Sequence, residues 1–133
     1  MSRIGTYLLR GKEKRQIVKT VPINLDSGTA STTDYVVAYF PDEIVLLDAR
    51  VVFTQATDTA YTGTVTVAVG TTAGGAELVT AVAIESAKAV GSTTALTLKL
   101  DSLPAGTTLF VRHVGIAATE AGEYFVQLQY FVK

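Results

Sequence analysis

Cysteine and tryptophan are both missing from this 133-residue chain, histidine occurs once, and proline three times. Without cysteine there is no disulfide and no thiolate chemistry. A single histidine leaves little for a metal centre or a general base. Long hydrophobic runs are missing too: "YVVAYF" and "IVLL" fall far short of the ~18 apolar residues of a membrane span. The basic start of the chain has no apolar stretch behind it, so we expect no secretory signal and no export by the usual route. Charge is also scarce, 17% of residues against a typical ~25%.

What the chain has instead is apolar content, 48%, with a mean hydropathy of +0.35. The length suits one domain with a sizeable core. Few charges on an apolar-rich chain imply neutral faces that are covered in an assembly. The pattern along the chain is one of short strands. "YVVAYF" reads as a strand that Pro41 ends. "EIVLLDARVVF" alternates, which predicts Val45, Leu47, Ala49, Val51 and Phe53 inward, with Asp48 and Arg50 outward. "TVTVAVG" puts Val65, Val67 and Val69 inward, and "ALTLKL" does the same for Leu96, Leu98 and Leu100. "LFVRHVGIAA" is a further strand. "YFVQLQYFVK" closes the chain with Tyr124, Val126, Leu128, Tyr130 and Val132 on one face. Residues 78–90 fit a strand or a short helix equally well. Turn signals recur every eight to twelve residues or so, including Asp26-Ser27-Gly28, "TTAGGAE" and "LPAGT". The expected fold is all-β, an antiparallel β-sandwich over residues 21–133, preceded by an arm over 1–20.

Chemistry has few candidates. His113 alternates with Arg112, so one of the two faces the core; a strand-surface or buried, hydrogen-bonded histidine outweighs a catalytic one. Asp26, Asp34, Asp42, Glu43 and Asp58 lie in loops without the spacing of a Ca²⁺ loop, so solvated acids are favoured over a cation site. "GTTAGGAE" lacks the Lys-Ser/Thr of a phosphate loop and reads as a flexible connection. Tyr7, Tyr35, Tyr39, Tyr61, Tyr124 and Tyr130 read as core or subunit contacts ahead of a sugar platform. No cofactor is expected, and an enzyme ranks last among the functions considered.

The strongest asymmetry is electrostatic. Residues 1–19 carry six bases and one acid, a charge of +5; the rest carries five bases and eleven acids, −6. A basic arm on an acidic body suggests an interaction tail. Phosphate would repel the body, so nucleic acid is the weaker reading. A protein partner fits better, because apolar residues interleave with the cations. The candidate contacts are Arg3, Ile4, Tyr7, Leu8, Leu9, Arg10, Lys12, Lys14, Arg15 and Lys19, with Ile17 and Val18 alongside. Such an arm is expected to order against a partner.

The stretches "TDYVVAYF", "YTGTVTVAVGTTAGGAELVTAV", "LDSLPAGTTLFVRHVG" and "EAGEYFVQLQYFVK" resemble structural proteins of tailed bacteriophages. They are most similar to the small cement, or decoration, proteins with a jelly-roll sandwich that bind the outside of the head. The likeness runs from about Tyr35 onward and rests on strand and turn patterns. It implies a virion protein, made in the host cytoplasm, that clamps neighbouring major capsid proteins on the outer capsid surface, often as a homotrimer. Other phage parts on the same sandwich (a head-fibre base, a tail or connector component) and a carbohydrate-binding module are the alternatives. No membrane contact is expected.

Overall fold

The computed structural model describes residues 15–25, 32–58, 64–115 and 121–133. They form ten strands: β1 (Gln16–Lys19), β2 (Ile23–Asn24), β3 (Thr32–Phe40), β4 (Ile44–Gln55), β5 (Thr66–Gly70), β6 (Val79–Ala83), β7 (Thr93–Leu96), β8 (Ser102–Leu103), β9 (Thr107–Val114) and β10 (Glu123–Val132). No helix occurs among the described residues. Every strand pairing is antiparallel.

Two sheets face each other. One runs β1-β10-β4-β7, with β2 also on β10 and β8 also on β4; the other runs β3-β9-β5-β6. β1 and β2 act as one interrupted strand along β10. At the break, Thr20 donates its N–H to the Val126 carbonyl and accepts the Val126 N–H on its hydroxyl, both at 3.0 Å. β7 and β8 likewise share the far edge of β4. Counting each interrupted strand once leaves eight positions, ordered 1-8-3-6 and 2-7-4-5. That is the order of a jelly roll.

The core lies between the sheets and follows the two-residue period. β9 buries Thr107, Leu109, Val111 and His113, while β10 buries Tyr124, Val126 and Leu128. Val65, Val67 and Val69 point inward as expected. Phe53, Tyr124, Ile23 and Ile44 are among the largest fully buried side chains. Each fully buried apolar side chain contributes about 1.5–3 kcal/mol.

β4 departs from simple alternation. Gln129 pairs with Asp48, but the next residue, Tyr130, pairs with Leu46, so Leu47 is an extra residue in the ladder. This β-bulge reverses the facing of everything before it. Ala49, Val51 and Phe53 are buried as alternation predicts, but so are Ile44 and Leu46, while Val45 and Leu47 are only half-buried. β3 has a similar irregularity at Val37, between the Val36 and Ala38 pairings.

Of two further readings, one open alternative is resolved and one expectation changes. Residues 78–90 hold no helix: Val79–Ala83 is a strand, and irregular backbone follows. The strand expected over 95–100 is β7, which ends at Leu96. Beyond it, the Lys99 N–H donates to the Leu78 carbonyl at 2.7 Å, drawing the chain off the β4 ladder. Leu96 is therefore buried, Leu98 packs against the core, and Leu100 is 40% exposed.

Candidate partner-binding surface

The outer face of the β1-β10-β4-β7 sheet is set by its register. Phe125 sits opposite Val52, and Phe131 opposite Val45. Gln127 lies between Lys19 and Arg50 across three strands, and Gln129 between Ile17 and Asp48. The bulge turns Leu47 outward beside Asp48. The face thus carries Ile17, Val45, Leu47, Val52, Phe125 and Phe131 around a polar middle. An antiparallel sheet with one solvated face ordinarily turns polar residues outward.

The polar middle is held internally. Arg50 Nε donates to Asp48 Oδ2 at 2.7 Å, and this hydrogen bond holds the Arg50 pKa above its ordinary value. The Lys19 ammonium stands 5.0 Å from the centre of the Phe125 ring, a cation–π distance.

At one side of the sandwich the edge strands β1 and β3 approach each other. Between them lies a groove of about 230 Å³ whose lining includes Gln16, Tyr39, Phe40, Ile44, Tyr130 and Val132, with Asp42 also at its wall. Tyr130 donates its hydroxyl proton to Gln16 Oε1 at 3.2 Å. Phe40 meets the Tyr130 ring edge-on, with centroids 4.9 Å apart. Tyr39 and Val36 on β3 are 61% and 67% exposed. β3 pairs only with β9, so its other edge carries no strand among the described residues.

The outer face of the second sheet is tied to its Gly-rich loop. Arg112 donates from Nε and Nη2 to the two oxygens of Asp34, both at 2.8 Å. That fork lowers the Asp34 pKa and raises that of Arg112. Gly74, at φ 77°, comes so close to the guanidinium that an added Cβ would lie 2.4 Å from Arg112 Nη2. Glu77 closes the loop by accepting the Thr71 N–H at 2.7 Å and the Thr71 hydroxyl at 3.1 Å. The Thr71 N–H is the main cause of its lowered pKa. This connection, expected to be merely flexible, is hydrogen-bonded and packed.

His113 faces the core and Arg112 faces out. His113 Nδ1 and the Tyr124 hydroxyl share a 2.7 Å hydrogen bond, and the histidine is 5% exposed. Burial lowers its pKa, which favours the neutral ring. It is a core polar pair in the interior of the sandwich.

Of the ten arm residues singled out in the sequence, Arg15 and Lys19 are described. Lys19 reaches the apolar sheet face, and Arg15 is exposed at the entry to β1. Arg3, Ile4, Tyr7, Leu8, Leu9, Arg10, Lys12 and Lys14 lie outside the described residues. Strand pairing reaches into the arm, because Gln16–Lys19 is β1. Of the acids expected in loops, Asp34 instead lies in β3, opposite Arg112, which takes its carboxylate; Glu43 pairs with Lys133 at 2.9 Å, and Asp58 accepts the Ala121 N–H. Asp26 lies outside the described residues, which contain no cluster of three or more potential metal ligands. Of the tyrosines, Tyr124 is buried, Tyr35 and Tyr130 half-buried and Tyr39 exposed, so the described rings form no exposed platform. Tyr7 and Tyr61 lie outside them. The apolar sheet face and the groove were not singled out in the sequence. Their signal is there, however: "YFVQLQYFV" has aromatics on both parities, which marks a strand with two covered faces.

The fold recurs in phage capsids. A chain of the cyanophage Pam1 capsid asymmetric unit superposes with a TM-score of 0.60 at 20% identity, covering 90% of this chain and 86% of that one. A chain of the Ralstonia phage GP4 capsid gives 0.53 at 17% identity, covering 90% and 85%. At these identities the likeness is one of fold. No family model matches the sequence, and no curated protein does.

Proposed function

We propose that this chain is a structural protein of a tailed-phage virion that binds the outer capsid surface and cements neighbouring major capsid proteins. It acts as a homotrimer and assembles in the host cytoplasm. The observation that carries the reading is the apolar outer face of the β1-β10-β4 sheet. Ile17, Val45, Leu47, Val52, Phe125 and Phe131 are what a sheet presents to a partner. The capsid setting comes from the two solved phage heads whose chains share the jelly roll over 90% of this sequence. The arm adds cations to an acidic body, so charge guides the encounter and apolar burial holds the complex. On this reading the protein works by burial and charge complementarity, without turnover or cofactor.

The test is co-sedimentation of the purified protein with heads that lack it, at low and high salt. Saturable binding that weakens with salt but leaves a salt-resistant remainder supports the proposal, since exposed charge pairs are screened over about 10 Å at 0.1 M. Heads that pellet without the protein at either salt refute it. Binding that Leu47→Asp and Phe131→Asp leave untouched removes the sheet face from the account.

A further inference from the structure

We propose that the groove at the β1/β3 seam receives the apolar stretch Ile4–Leu9 of the arm from a neighbouring copy of the chain. This rests on the reading of the arm as a protein-binding element, and it names the partner.

The groove has the right chemistry for such a segment. Phe40, Ile44, Tyr130 and Val132 give it apolar walls, and Tyr39 stands exposed at its side. Its volume of about 230 Å³ would hold several waters at roughly 30 Å³ each. Apolar walls bind such waters poorly, so displacing them by Tyr7 or Leu8 is favourable. Ile4, Tyr7, Leu8 and Leu9 are bracketed by Arg3 and Arg10. Asp42 at the groove offers a carboxylate to those cations.

Backbone pairing favours the same place. β1 begins at Gln16, opposite Tyr130, while β10 runs on to Val132. The nine residues of β3 carry no strand on their outer edge among the described residues. An extended segment laid along the seam finds main-chain groups to pair with as well as an apolar floor, as in strand addition to a sheet edge. The bulge at Val37 limits how long a regular ladder can grow there. A short segment therefore fits better than sheet-to-sheet stacking.

The length and charge of the intervening chain favour a neighbour's groove over its own. Gln16 is itself part of the groove wall, and in the sequence Gly11, Lys12, Glu13, Lys14 and Arg15, four of them charged, separate it from Arg10. Leu9 lies seven residues before Gln16. Continued outward at about 3.3 Å per residue, it stands about 23 Å away. An outward course carries the apolar stretch to another molecule, whereas its own groove requires a reversal within the charged linker.

The absence of cysteine makes the test clean. Two full-length forms are co-expressed: Leu8→Cys without a tag, and Tyr39→Cys with a tag that changes its size. Both are first checked for wild-type melting; Asp42→Cys replaces Tyr39→Cys if the latter melts early. The purified oligomer is treated with a short bismaleimide and run on a denaturing gel. The expected result is a crosslinked band of mixed size. That band is lost when the tagged form carries Val90→Cys, on the exposed loop between β6 and β7 at the other side of the sandwich. No mixed band beyond the Val90→Cys control overturns the proposal. So does a Leu8→Cys/Tyr39→Cys double variant that closes only within one chain. Because the gel uses the protein without heads, a failed crosslink beside intact head binding overturns arm exchange alone. A mixed band with no head binding overturns the decoration reading alone.

Discussion

Leu46 and Leu47 are adjacent and chemically identical, and the β4 bulge gives them opposite fates. Truncating each to alanine weighs one against the other. Leu46 is buried between the sheets at 7% exposure. Buried Leu→Ala changes cost about 2–5 kcal/mol, and near-complete burial puts Leu46→Ala at about 3 kcal/mol. Leu47 is half-buried on the outer face, so its truncation forfeits part of one side chain's burial, about 1 kcal/mol. For 133 residues the unfolding entropy is about 280 cal/mol/K, at ~2.1 per residue. Leu46→Ala should therefore lower Tm by about 10 °C, and Leu47→Ala by about 3–4 °C. Thermal melts by circular dichroism, at a concentration where the oligomeric state is fixed, give both values. Regular alternation from Phe53 back through Val45 predicts the reverse order. A larger loss for Leu47→Ala than for Leu46→Ala would refute the bulge and the outward facing of Leu47 with it.

Other outcomes follow from the same structure. Val51 is 2% exposed, and Val51→Asp places a carboxylate where charge is strongly penalised; we expect an insoluble or unfolded variant at neutral pH, and a cooperative melt near the wild-type Tm would count against the core assignment. Burial lowers the His113 pKa below the ordinary 6.5, so the unfolded chain binds the extra proton first. Its contribution is therefore intact above pH 6.5 and is lost as pH falls from 6.5 through the lowered folded value. Urea melts should show that slope in wild type and its absence in His113→Gln, which loses about 1 kcal/mol from the Tyr124 bond; an unchanged slope points to another group. Deleting residues 1–14 should leave a folded sandwich; on the proposed decoration role, that variant binds heads more weakly at low salt. Deleting 1–19 should also lower Tm, because it removes β1 from the β10 edge; equal melting of the two truncations contradicts that pairing.

The legibility of the fold varied with the regularity of each strand. β9 and the stretch of β10 through Leu128 keep a strict two-residue period, and alternation alone predicts their buried residues; in β5 it predicts Val67 and Val69, but Ala68 and Gly70 are buried too. In β4 the apolar run "IVLL" offers both parities at once, so nothing local marks Leu47 as the extra residue; its partner strand decides. β1 is short and mostly exposed on an edge, so charge dominates its sequence signal and the sequence alone assigns it to the arm. Leu98 and Leu100 kept the period beyond β7, but the bond from Lys99 to Leu78 took the backbone elsewhere. The interaction surface was harder to read than the core. Phe125 and Phe131 are not singled out in the sequence; the register puts them beside Val52 and Val45. The groove joins residues from β1, β3 and β10, which no local pattern brings together.

The most direct test of the decoration reading is a cryo-EM map of the virion that carries this protein. The account predicts jelly-roll density on the outer capsid surface, in groups of three, with the β1-β10-β4 face covered by protein. Density confined to the tail or connector, or a head shell with no copy of the sandwich outside it, would contradict the account.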